Sequence, residues 1–274
     1  MSDDALRPQR QAMPVFILFI LRQLHNTIQE MSMDYRVSVP VAIAELLIVL
    51  VFLYCFIATA RFIIKHRKGD PRVWERAIRR FEKNDRRCFP PEGVIVFTGS
   101  SSIRFWKSLQ TDMAPLPVVN RGFGGAQIHD VTHYVRRIVT PYKPKAVVFY
   151  AGENDMAGML LSKRKAPEEI LVAFGNFCRT VHTDLPHVPI YFIAVKPPKL
   201  RRKHWPVMQR ANQLIQQHCA SDARLHFIDI VPAMLDQYAK PRLDVFKWDG
   251  VHLNEKGYAI WTSAIKSALI KAFS

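Results

Sequence analysis

Val94–Trp106 reads VIVFTGSSSIRFW, and its first five residues are β-branched or aromatic without a break. Such a run predicts a strand buried on both faces, as in a parallel sheet covered by helices. Gly99 and three serines, Ser100, Ser101 and Ser102, follow it directly. Small and hydroxyl-bearing residues at the carboxyl end of a buried strand are where open α/β sheets bind ligands. Serine also caps helices well, so the triplet by itself is better read as a strand-to-helix turn.

Three later stretches separate these readings. Asn120-Arg121-Gly122-Phe123-Gly124-Gly125 follows the apolar Pro117–Val119, and Tyr150-Ala151-Gly152-Glu153-Asn154-Asp155 follows Ala146–Phe149. Near the C-terminus stands Trp248-Asp249-Gly250-Val251-His252-Leu253-Asn254. Together the four supply a hydroxyl, amide donors, and an acid beside a base, in the order Ser, Asp, His. In these blocks the chain resembles the SGNH hydrolase (GDSL-like lipase/esterase) superfamily. The matches are Gly99-Ser100-Ser101, Gly125, Gly152-Glu153-Asn154-Asp155 and Asp249-x-x-His252, in family order across most of 94–274. Ser100 stands where the family's Gly-Asp-Ser block has aspartate. The register of the resemblance implies Ser101 as nucleophile, whereas spacing alone also allows Ser100 or Ser102.

The chemistry asks for these residue types. A serine hydroxyl attacks a carbonyl only if a base takes its proton. His252 is the candidate base, with Asp249 three residues earlier to hold one ring nitrogen and stabilise the imidazolium. The resemblance implies an oxyanion hole made by the backbone N–H groups of Ser101 and Gly125 and the side-chain amide of Asn154. An asparagine amide donates without adding charge, and glycine lets the backbone come close to a substrate. Asn254 is expected to cap the final helix.

Outward from these blocks the chain alternates. Strands are predicted at Val94–Thr98, Val118–Asn120, Ala146–Tyr150, Ile190–Val195 and Leu225–Ile230. Helices are predicted at Ile128–Ile138, Pro167–Thr183, Trp205–Ala220 and Glu255–Ala272. Alternation implies βαβ crossovers, hence an α/β three-layer sandwich with a flavodoxin-like five-stranded parallel sheet in the order 2-1-3-4-5. The basic run Lys199–His204 follows the fourth strand and reads as a solvated loop or as part of the site mouth.

Upstream the character changes. Val41–Ala60 is apolar apart from Glu45, Tyr54 and Thr59, and twenty helical residues match the ~30 Å hydrocarbon core of a bilayer. Arg61, Lys65, Arg67, Lys68 and Arg72 follow it, whereas Arg36 and Arg22 precede it. The positive-inside bias puts the C-terminal side in the cytoplasm. The expected organisation is a leader at 1–38, in which Met13–Leu21 is apolar but too short to span, an uncleaved transmembrane helix at 39–64, a basic juxtamembrane helix and linker at 65–92, with the helix at Pro71–Asn84, and a hydrolase domain at 93–274.

The 274-residue chain carries a formal net charge of +16. No zinc-finger, RNP or helix-turn-helix pattern accompanies that charge, so no nucleic-acid partner is expected; the cations gather near the apolar segment and suit a membrane surface. Cys55, Cys88, Cys178 and Cys219 show no C-x-x-C spacing, and the remaining histidines show no metal-ligand spacing, so neither metal nor cofactor is expected. The expected protein is a membrane-anchored, single-pass serine hydrolase. It would cleave a lipid, lysophospholipid or acetylated-carbohydrate ester through Ser101, His252 and Asp249. The alternatives are an acyltransferase of the same fold and a catalytically silent membrane scaffold.

Overall fold

A computed structural model describes residues 19–27, 39–67, 69–158 and 162–273. The leader expectation for Met13–Leu21 therefore falls mostly outside the described residues. The chain divides into two units, Met1–Thr59 and Ala60–Ser274.

The first unit contains a short helical stretch at 19–27 and most of helix α1, Val39–Arg67. Leu46, Val51, Phe52 and Tyr54 of α1 are all exposed. Apolar side chains surround its circumference, without the polar face that a half-buried surface helix carries. Pro40–Lys65 is long and apolar enough to cross a bilayer and is a candidate membrane span.

The second unit is built on five parallel strands. They are β1 (Ile95–Gly99), β2 (Val118–Gly122), β3 (Ala146–Tyr150), β4 (Ile190–Ile193) and β5 (Leu225–Ile228). Their order is β2-β1-β3-β4-β5, as the alternation predicts. Period-two alternation divides the strand residues between two apolar layers. Val96, Val147, Phe149 and Phe192 meet α2 (Glu75–Asp85), α5 (Ile128–Ile138), α7 (Pro167–Asp184) and α8 (Trp205–Ala220) through Ile78, Val131, Phe174 and Met208. Ile95, Phe97, Val148 and Ile193 face α3 (Ser101–Arg104), α4 (Leu109–Met113) and α9 (Glu255–Phe273) through Ile103, Leu109 and Trp261. Helices on both faces explain why β1 and β3 are buried throughout.

The predicted boundaries of α5 and α8 agree with the structure, and those of α7 and α9 agree to one residue. Three short helices are additions: α3 and α6 (Glu153–Ala157) at strand ends, and α4. They are too short to give a helical period, so no repeat of apolar residues could announce them.

The register brings the loops after β1, β2 and β3 to one level. Gly99 pairs with Gly122 on one side and with Tyr150 on the other. Gly99 takes φ +137°, and a Cβ there would lie 1.9 Å from the Tyr150 carbonyl oxygen. Only glycine fits. The chain then turns so that the Ser100 N–H donates to that same carbonyl at 2.9 Å, and Ser101 opens α3.

Candidate active site

The three serines at the end of β1 have different surroundings. Ser100 and Ser102 are buried, at 3% and 2% exposure, while Ser101 is partly exposed. The Ser101 hydroxyl lies 2.9 Å from His252 Nε2. On the other side of the ring, Nδ1 lies 2.7 Å from Asp249 Oδ2. Asp249 Oδ1 accepts the backbone N–H groups of Val251 and His252, both at 2.9 Å. An ionised carboxylate only accepts, so this network assigns the imidazole proton to Nδ1 and leaves Nε2 to accept from Ser101. Phe105 meets the imidazole edge to face, with centroids 4.7 Å apart, and helps fix the plane of the ring.

Burial would raise the Asp249 pKa, but the donors from His252 and Val251 outweigh it and hold the carboxyl at about 2. The tight Asp249–His252 turn is followed by Asn254, whose Oδ1 accepts the Gly257 N–H at 3.1 Å at the start of α9. This is the expected cap.

Asn154 sits in α6, immediately beyond the end of β3. Its Nδ2 donates to the Ala126 carbonyl at 3.2 Å, and its Oδ1 accepts from Arg201 at 3.2 Å. The amide is thus oriented with nitrogen toward the loop after β2, where buried Gly125 directly precedes Ala126. Ser101, His252 and Asp249 are in direct contact. Asn154 and the Gly125 loop are tied to each other, and no hydrogen bond joins either to Ser101 among the described residues. Arg201 belongs to the basic run after β4, and the Leu200 N–H donates to Gly250 O at 3.0 Å. That run therefore packs against the histidine loop and borders the site.

Behind these groups lies a charged cluster that the residue pattern did not reveal. Lys196 is fully buried and pairs with Glu153, itself 4% exposed. Lys196 Nζ also donates to Tyr150 Oη at 3.2 Å and to Ser102 Oγ at 3.4 Å. Arg201 donates to the second Glu153 oxygen at 3.1 Å. Burial pushes the Glu153 carboxyl toward its neutral form, yet the two cations win and keep its pKa below the ordinary glutamate value. The cluster ties the residue after Ser101 to the residue before Asn154. Breaking a buried pair by removing one partner costs about 3–5 kcal/mol. Lys196→Met is accordingly expected to destabilise the protein by an amount in that range, read by urea unfolding. A loss under about 1 kcal/mol would mean that Arg201 alone satisfies Glu153.

Comparison with known proteins gives a consistent picture. The profile of the GDSL-like Lipase/Acylhydrolase family matches residues 92–260, more than half of the chain. Platelet-activating factor acetylhydrolase IB subunit alpha1 of Pongo abelii is 24% identical over 196 residues, which are 66% of this chain and 77% of that protein. A GDSL-like lipase structure from Bacteroides thetaiotaomicron superposes with a TM-score of 0.60 at 21% identity, covering 71% of this chain and 98% of the other. The lipase/acylhydrolase structure from Enterococcus faecalis has a TM-score of 0.51 at 17% identity, covering 64% and 94% respectively.

Proposed function

The chain belongs to the GDSL-like lipase/acylhydrolase family and is an esterase, and on that premise we propose that it is a membrane-anchored serine hydrolase acting through Ser101, His252 and Asp249. The observation that carries this reading is the unbroken hydrogen-bond chain from Ser101 through His252 to Asp249, at 2.9 and 2.7 Å. Ser101 Oγ attacks the ester carbonyl while His252 Nε2 takes its proton. The tetrahedral oxyanion is held by the N–H groups of Ser101 and Gly125 and by the Asn154 amide. Collapse expels the alcohol, which receives the proton from His252, and leaves an acyl-enzyme. Water, deprotonated by His252, then releases the acid and regenerates Ser101.

The relative's name, an acetylhydrolase, favours a short acyl chain, so p-nitrophenyl acetate is the first substrate to test. Turnover that depends on Ser101 is the expected result. The oxyanion assignment has its own test. Asn154→Ala is expected to lower kcat by about 10²–10³-fold with KM little changed, because the donor acts on charge that exists only in the transition state. An unchanged kcat would take Asn154 out of the site.

The anchor is proposed from Pro40–Lys65 and the cations that follow it. A helix held by its lost contact with water is insensitive to salt, which screens only electrostatic attachment. The full-length protein is therefore expected to stay with membranes through high salt and alkaline carbonate, with its C-terminus in the cytoplasm. A C-terminal alkaline phosphatase fusion, which needs an oxidising compartment, should be inactive. Recovery in the carbonate-soluble fraction would remove the anchor, and an active fusion would reverse the orientation.

A further inference from the structure

A cavity of about 550 Å³ lies between α2, the segment after α3 and the carboxyl end of β2. None of Ser101, Asn154, Asp249 and His252 lines it. Four cations do: Arg76 and Arg80, one turn apart on α2, and Arg104 and Lys107, at the end of α3 and just after it. No carboxylate lines it, and none of the four takes part in an ion pair among the described residues. By contrast the neighbouring arginines are partnered: Arg79 and Arg137 with Glu75, and Arg121 with Asp85. Trp74, Phe81 and Phe123 supply apolar wall between the cations.

Concentrated positive charge without acidic partners favours an anion, and a phosphate accepts several charge-assisted hydrogen bonds from arginine. The apolar wall adds a preference for an anion that carries hydrocarbon. The position of the cavity supplies the source. The Trp74 ring meets Phe62 edge to face at 6.1 Å, and Phe62 lies within the candidate span Pro40–Lys65. The chain between them is fastened by Tyr134 Oη donating to Pro71 O at 3.0 Å, and His129 Nε2 lies 3.1 Å from Gly69 O. One wall of the cavity is thus continuous with the last turns of the apolar helix. Basic clusters at such a position meet the phosphates of anionic lipids.

We propose that the cavity between α2 and the carboxyl end of β2 binds the phosphate headgroup of an anionic phospholipid, with the first acyl carbons against Trp74 and Phe81. The site is separate from the ester-cleaving groups. It rests on the anchor part of the proposed function and not on the hydrolase chemistry.

The test uses the full-length Ser101→Ala protein in dodecyl maltoside micelles, so that lipid turnover plays no part. Native mass spectrometry counts bound dioctanoyl phosphatidylglycerol, dioctanoyl phosphatidylcholine or glycerol 1-phosphate. Phosphatidylglycerol is expected to bind one per chain, at least ten-fold more tightly than either of the others. Arg76→Gln with Arg80→Gln should weaken it at least ten-fold, and so should Arg104→Gln with Lys107→Gln. Arg86→Gln with Arg87→Gln, outside the cavity, should leave it within two-fold. Thermal melting checks that each variant is folded, and either cavity pair suffices if the other is not. Equal binding of the two lipids would overturn the proposal, as would equal weakening by the outside pair. Glycerol 1-phosphate binding as tightly as the lipid would also overturn it, making this a site for soluble phosphate esters.

Discussion

Ser101→Ala is expected to lower kcat for p-nitrophenyl acetate by about 10⁴–10⁶-fold while the protein remains folded. The side chain lost is the one whose oxygen would form the new bond, so no neighbouring group replaces it. Ser100 and Ser102 flank it but are buried. Ser102 Oγ accepts from Lys196. Ser100→Ala and Ser102→Ala are accordingly expected to keep activity within about ten-fold, an allowance of ~1.4 kcal/mol in the barrier. A stopped-flow or endpoint assay of the three variants checks this. Full activity in Ser101→Ala would place the nucleophile elsewhere.

Asp249→Asn is expected to cost about 10³–10⁴-fold in kcat, with the fold intact. The ring proton is held on Nδ1 by the Asp249 carboxylate at 2.7 Å. An amide in that place offers either a carbonyl or an N–H, and the N–H would favour the opposite tautomer, whose Nε2 cannot accept the serine proton. The carboxylate also stabilises the imidazolium that forms during attack, and asparagine does not. The same substitution has a pH signature. The folded pKa of Asp249, about 2, lies below its unfolded value of about 4. Its ionised form therefore stabilises the fold fully above about pH 4, and that stabilisation fades as pH falls through about 2. Asparagine does not titrate, so the stability gap between the wild-type protein and Asp249→Asn should narrow from pH 5 toward pH 2. Urea midpoints measured across that range decide it. A loss of activity under ten-fold would remove Asp249 from the catalytic chain.

The sheet was legible because its strands carry unbroken apolar runs and its long helices carry clear periods. Ile128–Ile138 and Trp205–Ala220 could be bounded to the residue because each has enough turns for the pattern to repeat. The residues offered for the site come from the family resemblance, which puts a serine after the first strand, an asparagine after the third, and an aspartate with a histidine before the last helix. The Lys196–Glu153 cluster was not legible. Lys196 follows the apolar Ile190–Val195 directly, and a lysine at a strand end is ordinarily a solvated boundary. Its burial follows from Tyr150, Ser102 and Glu153, which come from two other strand ends and meet it only once the sheet has formed. A charged residue closing a fully buried strand was the available signal. The basic run Lys199–His204 was readable as loop, but the role of Arg201 as a brace on Asn154 depends on two loops meeting across the sheet.

The measurement that bears most directly on the hydrolase assignment is labelling by a fluorophosphonate probe, which phosphonylates a serine only when its oxygen is activated. The full-length protein is treated with the probe and digested, and the modified residue is located by tandem mass spectrometry. The expected result is one adduct per chain on Ser101, abolished by His252→Ala and by prior boiling. An adduct on Ser100 or Ser102, or a folded protein that takes up no probe at all, would contradict it.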